Sequence, residues 1–289
     1  MPKQKITLKE LAKIVGVSPS TVSKSLNDSF EISEDTKKRV REAALTYNYS
    51  PNLMAQGLKT SRTGIIGVII PDMRAPFFIR VLRGIEKEAS KLGYQIITCF
   101  SNESFKKEKE ILEMLSSGRV DGIIMSLSKK TQELGEYKHL KEIQDKELPI
   151  ALFDRVDDRI ECDKVVINDF DSTFRATNHL LNSGASDILF ISQISNTSVG
   201  KDRYNGYLEA LDNANVSKGR MLEVEEYKSF EKELIRVLKT KKIDAILTAN
   251  ELAAITAINI VTKLGLSIPE DVSVIGFTNG LLSMNSNPP

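Results

Sequence analysis

His139 and His179 are the first side chains to weigh for catalysis in this chain of 289 residues. Both fall in helix-like stretches with no Asp or Glu at the spacing a metal site needs. No Gly-x-Ser-x-Gly elbow and no Gly-x-x-x-x-Gly-Lys phosphate loop occurs. The glycines of Thr63-Gly64-Ile65-Ile66-Gly67 open a strand-like run, whereas a dinucleotide fingerprint would follow one. Cys99 and Cys162 are too few for a disulfide framework or a four-thiolate zinc site. The expectation is a protein that is no enzyme and holds neither metal nor cofactor.

Binding chemistry is better represented. Ser20, Thr21, Ser23, Lys24 and Asn27 are short polar or cationic groups around an apolar stripe of Val22 and Leu26. Such side chains hydrogen-bond to base edges and phosphates. As the second helix of a helix-turn-helix unit, this segment would enter the major groove amino end first. Pro19, Ser20 and Lys24 then face base edges, Ser18, Thr21, Ser23 and Asn27 face phosphates, and Thr7, heading the preceding helix, joins the DNA-facing set. The alternative is a small protein-interaction domain with a solvated face. A second group stands just after strand-like runs, where open α/β sheets bind ligands: Asp72, Asp154, Asn250 and Thr278. Phe77, Phe78 and Tyr227 are rings that could stack on a sugar or a base, with Phe78 read as core.

The elements that position these groups are legible. Thr7-Leu8-Lys9-Glu10 is a capping box opening a two-turn helix, with Leu8, Leu11, Ala12 and Val15 at helical spacing and Gly16 free to take positive φ at its end. Ser18 caps a second helix with Pro19 at its first position, where the missing N–H costs nothing. Ser33, followed by Glu34 and Asp35, caps a third, with Val40, Ala43, Ala44 and Tyr47 at core spacing. Ser50-Pro51 then opens PNLMAQGLKT, too short to be a stable helix alone and weakened by Gly57. From Gly64 apolar runs alternate with amphipathic stretches: Ile65–Ile70, Gln95–Phe100, Gly122–Met125 and Ile150–Phe153 are separated by helices at Phe77–Leu92, Lys106–Ser116 and Glu136–Lys146. The alternation restarts after Val165–Ile167, with strands at Ile188–Ser192, Met221–Val224, Ala245–Thr248 and Val272–Phe277. Runs buried on both faces and separated by helices imply two doubly wound parallel α/β lobes, with a cleft between the carboxyl ends of their strands.

Charge agrees with this division. The formal net charge is +1, yet residues 1–62 hold eleven Lys or Arg against six Asp or Glu, a net of +5, and the remainder carries 29 against 33, a net of −4. A basic amino-terminal module on a mildly acidic body suggests phosphate neutralisation. The start MPKQKITLKE lacks the apolar stretch of a signal peptide, and no apolar run approaches the roughly 20 residues of a membrane span. A cytoplasmic location is expected.

The segments ITLKELAKIVGVSPSTVSKSLN, YSPNLMAQGLKT, GVIIPDMRAPFF, RVDGII, RYNGYLEAL and IPEDVSVIGF, in this order and spacing, resemble the LacI/GalR family of bacterial repressors over nearly the whole chain. The resemblance implies a helix-turn-helix domain at 1–50, a hinge helix at 51–62 and a two-lobed effector domain of the type I periplasmic-binding-protein kind at 63–289. It implies a homodimer on near-palindromic operator DNA, with a small effector, most often a sugar, in the cleft. It replaces the plain linker by a hinge helix that folds on DNA, with Asn52, Ala55 and Gln56 at hinge positions and Leu58 wedged into the minor groove. It also assigns Phe77, Asp154, Arg203, Tyr227 and Asn250 to effector contact. Thr278 stands where the family usually has Asp, Ala75 where it often has Asn, and Lys24 where Arg is common. After NGLLSMNSNPP the family normally continues for several tens of residues, so a carboxyl-terminal truncation is expected. A sugar-binding transport component shares the two-lobed body, but would need an export signal and has no use for a groove reader.

Overall fold

The Thr7 hydroxyl accepts from the Glu10 amide at 3.3 Å while the Glu10 carboxylate accepts from the Thr7 amide at 2.6 Å, so two otherwise orphaned N–H groups are satisfied where the first helix begins. The computed structural model describes residues 6–50, 62–216, 219–224, 227–277 and 280–286, and it divides into units Met1–Thr63 and Gly64–Pro289. In the first unit, α1 (Leu8–Val15) ends at Gly16 with φ 75°, α2 (Pro19–Leu26) starts from the Ser18 cap, and α3 (Glu34–Thr46) from the Ser33 cap. Leu11, Ala12, Val15, Val22, Val40 and Ala44 are buried together, and Leu8, Leu26 and Ala43 pack against them. Tyr47, expected in this core, is 47% exposed. It is the C-cap of α3, and Asn48 then takes φ 50°, which turns Tyr49 in to pack on the core instead.

In the second unit, β1 (Ile65–Ile70), β2 (Gln95–Phe100), β3 (Gly122–Met125), β4 (Ile150–Phe153) and β5 (Asp163–Val165) form a parallel sheet of order β2-β1-β3-β4-β5. Its crossovers are α4 (Pro76–Lys91), α5 (Phe105–Leu115) and the pair α6 (Lys129–Leu134) and α7 (Lys138–Gln144). The polar helix expected near 136–146 is α7, and a short helix that was not expected, α6, precedes it and ends where Gly135 takes φ 66°. The second sheet has order β7-β6-β8-β9, from β6 (Ile188–Ser192), β7 (Arg220–Glu223), β8 (Ala245–Thr248) and β9 (Ser273–Ile275). Around it run α8 (Asp169–Asn182), α9 (Ser198–Asn213), α10 (Tyr227–Thr240) and α11 (Glu251–Lys263), and α12 (Leu281–Met284) follows β9. Both sheets reverse strand order at their first strand, β1 between β2 and β3 and β6 between β7 and β8, and open α/β sheets bind ligands at such points.

A buried polar network ties the first lobe together. Glu108, fully buried on α5, accepts from the Ser128 amide at 2.6 Å and the Thr131 hydroxyl at 2.7 Å, and its Oε1 lies 2.9 Å from His139 Nε2. His139 thus has an acidic partner after all, brought from 31 residues away by the fold. Among the described residues no group of His, Cys, Asp and Glu is arranged to hold a metal ion.

In the second lobe α8 and α9 touch backbone to side: a Cβ on Gly206 would lie 2.2 Å from the Phe170 carbonyl oxygen. Gly206→Ala is expected to destabilise the protein by about 2–4 kcal/mol in urea unfolding, because two closely packed helices must separate. A change under about 0.5 kcal/mol would show that this approach is not tight.

Candidate functional site

The exposed face of α2 follows from its two caps. Val22 and Ser25 point inward, while Ser18, Pro19, Ser20, Lys24 and Asn27 are exposed and Thr21 and Ser23 are partly so. Several of these groups already have work: the Ser18 hydroxyl accepts from the Thr21 amide at 3.1 Å and sits 2.8 Å from the hydroxyls of Ser20 and Thr21. Lys24 is paired with Glu31. Thr7 is occupied by its capping box. Asn52, Ala55, Gln56 and Leu58 lie outside the described residues.

In the second unit the strand-end rule places Asp72, Asp154 and Asn250 at carboxyl ends, after β1, β4 and β8. Asp154 holds φ 60°, a conformation that favours glycine, and its amide donates to the Val165 carbonyl at 3.0 Å. Burial pushes its carboxyl up to about 6; Arg155 and Arg203 oppose the shift, and Asp169 and Glu103 add to it. Arg203, 9% exposed, donates through Nε to Asp169 at 2.8 Å and through Nη1 to the Ala249 carbonyl, and its guanidinium lies 4.2 Å from the centre of the Phe277 ring. The fork expected to hold a ligand is therefore preset by Asp169. Asn250 spends its Oδ1 capping α11, accepting from the Ala253 amide at 2.9 Å, and its Nδ2 points to Gln193 Oε1 at 3.4 Å. Asp72 is engaged by Arg74, which donates from its backbone and guanidinium at 2.9–3.1 Å. Phe77 is 39% exposed and Phe78 is core at 3%, edge-on to both Phe77 and Phe153. The Tyr227 side chain and Thr278 lie outside the described residues.

Residue-by-residue reading missed the partners. Arg155, 5% exposed, donates to Glu103 at 2.8 and 2.7 Å and lies over the Phe78 ring at 5.6 Å. The Glu103 carboxylate also accepts from the Lys129 amide at 2.6 Å, linking the ends of β2 and β4 to the start of α6. Arg155 directly follows a strand-end aspartate, a signal the rule could have extended by one position. Asp169 and Glu103 had no such signal. Ser101 and Ser126, fully buried at the ends of β2 and β3, have hydroxyls with no hydrogen-bond partner, and they flank β1 where the strand order reverses. The lobes meet through the Ser198 amide to Gln132 Oε1 at 3.1 Å, Lys129 Nζ to the Gln193 carbonyl at 3.2 Å, and Arg80 to Glu251 at 3.5 Å. Charged and amide groups of both lobes meet at these contacts.

A polar-faced helix-turn-helix joined to a two-lobed α/β ligand-binding unit defines a transcription regulator that responds to a small molecule. Known proteins give the same result. The family described as periplasmic binding proteins and sugar binding domain of LacI family matches residues 63–284, and that of bacterial regulatory proteins, lacI family, matches residues 7–52. The chain belongs to the LacI family. It is 32% identical to the HTH-type transcriptional repressor PurR of Aliivibrio salmonicida over 288 residues, 98% of this chain and 85% of that protein. It is 31% identical to the HTH-type transcriptional regulator DegA of Bacillus subtilis, again covering 85% of that protein. The crystal structure of the lac repressor dimer bound to operator and the anti-inducer ONPF shares the fold, with a TM-score of 0.85 at 22% identity over 99% of this chain and 86% of that one. These relatives are regulators rather than enzymes. Among the described residues no helix is long and apolar enough to cross a membrane.

The raised Asp154 carboxyl has a stability consequence. The folded chain holds this proton more tightly than the unfolded chain between the ordinary value of 3.8 and about 6. Its contribution to stability therefore falls as pH rises through that window, by up to about 3 kcal/mol, and is constant above it. Asp154→Asn is expected to flatten this slope in urea unfolding between pH 4 and 7, measured beside the parent. Parallel pH profiles for the two proteins would contradict it.

Proposed function

We propose that this chain is a cytoplasmic repressor of carbohydrate-utilisation genes that binds a near-palindromic operator as a homodimer and is released by a sugar-like effector held between its lobes. The reading is carried by Asp154, Asp169, Arg203 and Asn250, four polar groups gathered where the two lobes face each other. Ionised Asp154 accepts hydrogen bonds from ligand hydroxyls, the Arg203 fork donates to hydroxyls or a carboxylate, and the exposed ring of Phe77 offers a stacking face. Asp72, Tyr227 and Thr278 complete the effector set we assign. Ala75, which heads α4 without a side-chain cap, and Thr278, in place of the usual Asp, reduce the polar groups available to a simple sugar and favour a larger or differently substituted saccharide. Nothing in this cleft is asked to break a bond, so we read the protein as a sensor and no enzyme.

On DNA, the domains are assigned as 1–50 for the reader, 51–62 for the hinge and 63–289 for the sensor. Thr7, Ser18, Pro19, Ser20, Thr21, Ser23, Lys24 and Asn27 contact the major groove and its phosphates, and Asn52, Ala55, Gln56 and Leu58 the minor groove. The mechanism is a population shift: the effector changes the angle between lobes, this changes the spacing of the two hinge segments in the dimer, and the hinge helices order on DNA or melt.

A thermal-shift screen against mono- and oligosaccharides and nucleosides tests the sensor. A ligand near 100 times its Kd adds about 2.7 kcal/mol, so one sugar class should raise Tm by roughly 5 °C or more. A nucleoside hit would reassign the ligand, and a blank panel would remove the sensing claim. For the hinge, Leu58→Ala should weaken operator binding in a gel shift by about tenfold or more while barely changing non-specific binding. Equal losses on both duplexes would sink the wedge role.

A further inference from the structure

Lys24, assigned above to a base edge, is not free in the DNA-free protein, since its Nζ is paired with the Glu31 carboxylate. The two side chains are 48% and 49% exposed, so the pair adds little to folding; such pairs give about 0–1 kcal/mol. The backbone that carries Glu31 is nevertheless held in place. The loop between α2 and α3 is pinned by Asp28, whose Oδ1 lies 3.1 Å from Lys37 Nζ and 2.7 Å from Arg41 Nη2. Within it the Ser29 amide donates to the Lys24 carbonyl at 2.9 Å, the Ile32 amide to the Ser29 carbonyl at 3.3 Å, and Ser33 then caps α3. These bonds hold the backbone of Glu31 beside the end of α2, so its carboxylate stays within reach of Lys24.

A fixed negative charge on the reading face opposes phosphates in general, and it neutralises a cation that would otherwise bind any of them. Its cost is smaller where a donor faces it. In the major groove cytosine N4 donates to a carboxylate, while the O6 and N7 of the paired guanine accept from lysine. We propose that Glu31 is a specificity-determining residue of the DNA reader, which withholds Lys24 from phosphates and releases it at a G·C pair offering acceptors to Lys24 and a donor to Glu31. Discrimination then comes from a built-in unfavourable term against wrong sites as well as from a favourable contact at the right one. The inference rests on α2 being the DNA-facing helix.

The test is binding-site selection from a random duplex pool with the full chain, followed by anisotropy titrations of parent, Glu31→Gln and Lys24→Met on the selected site and on an unrelated duplex. Glu31→Gln keeps size and exposure and is expected to tighten unrelated-duplex binding by about threefold or more. Its ratio of specific to non-specific affinity should fall by a similar factor, its non-specific salt slope should steepen by about one, and selection should relax at one G·C position. Equal tightening on both duplexes, or no change, overturns the proposal. If the parent selects no sequence, or Lys24→Met leaves selected-site affinity unchanged, the assignment of Lys24 to base edges fails first and takes the proposal with it.

Discussion

The Asp154 carboxyl group is withdrawn from bulk water at the end of β4, among Arg155, Arg203, Asp169 and Glu103. Burial outweighs the two arginines that favour its charge, Asp169 and Glu103 oppose that charge, and the four neighbours come from four different segments. Arg155 is fixed by Glu103 after β2, Glu103 also holds the first amide of α6, and Arg203 on α9 is fixed by Asp169 at the head of α8. The ion pairs around this acidic group therefore tie together strand ends and helix starts in both lobes. The left-handed backbone at Asp154 keeps its carboxyl at this crossing point. A ligand that hydrogen-bonds there would enter a network already oriented for it, which reduces the ordering cost of binding.

The reading unit depends on a different and simpler constraint. Among its described residues six apolar side chains are buried and the helices are short, so hydrophobic stabilisation is small, and α1, α2 and α3 each start on a hydroxyl cap. Those caps leave Ser18 and Thr7 partly occupied, Ser20 shares the Ser18 hydroxyl and Lys24 is paired with Glu31, so the exposed edge of α2 is already partly committed. Lys37 is the clearest compromise between the two demands. Its stem is buried in the unit and its ammonium reaches Glu34 at 2.7 Å, so a residue counted in the basic charge of the segment serves the fold. The +5 of residues 1–62 thus overstates what is available to phosphates.

Much of this was legible in the residues because local signals were strong. The capping box at Thr7, the Ser18-Pro19 start and the alternation of apolar runs with helices follow from nearest-neighbour chemistry, and the structure has them where expected. Tyr47 was misplaced because one left-handed residue, Asn48, reverses which aromatic faces inward. The missed site residues share a cause. Glu103, Asp169 and Arg155 matter through pairs 34 and 52 residues apart in sequence, which periodicity cannot see. Glu108 and His139 are joined in the same way. Strand-end position located where polar groups gather, but not which of them are already committed to one another.

The account makes the DNA reader and the cleft two ends of a single equilibrium, with the inter-lobe contacts of Gln132, Lys129 and Arg80 as the part that must rearrange. A ligand can move that equilibrium only by as much as it prefers one lobe arrangement over the other. The direct measurement is the Kd of the full chain for its selected duplex, by fluorescence anisotropy at fixed salt, with and without a saturating sugar from the screen. The account predicts a change of about fivefold or more, in the direction of release. An unchanged Kd, with sugar binding verified in the same sample, would contradict it.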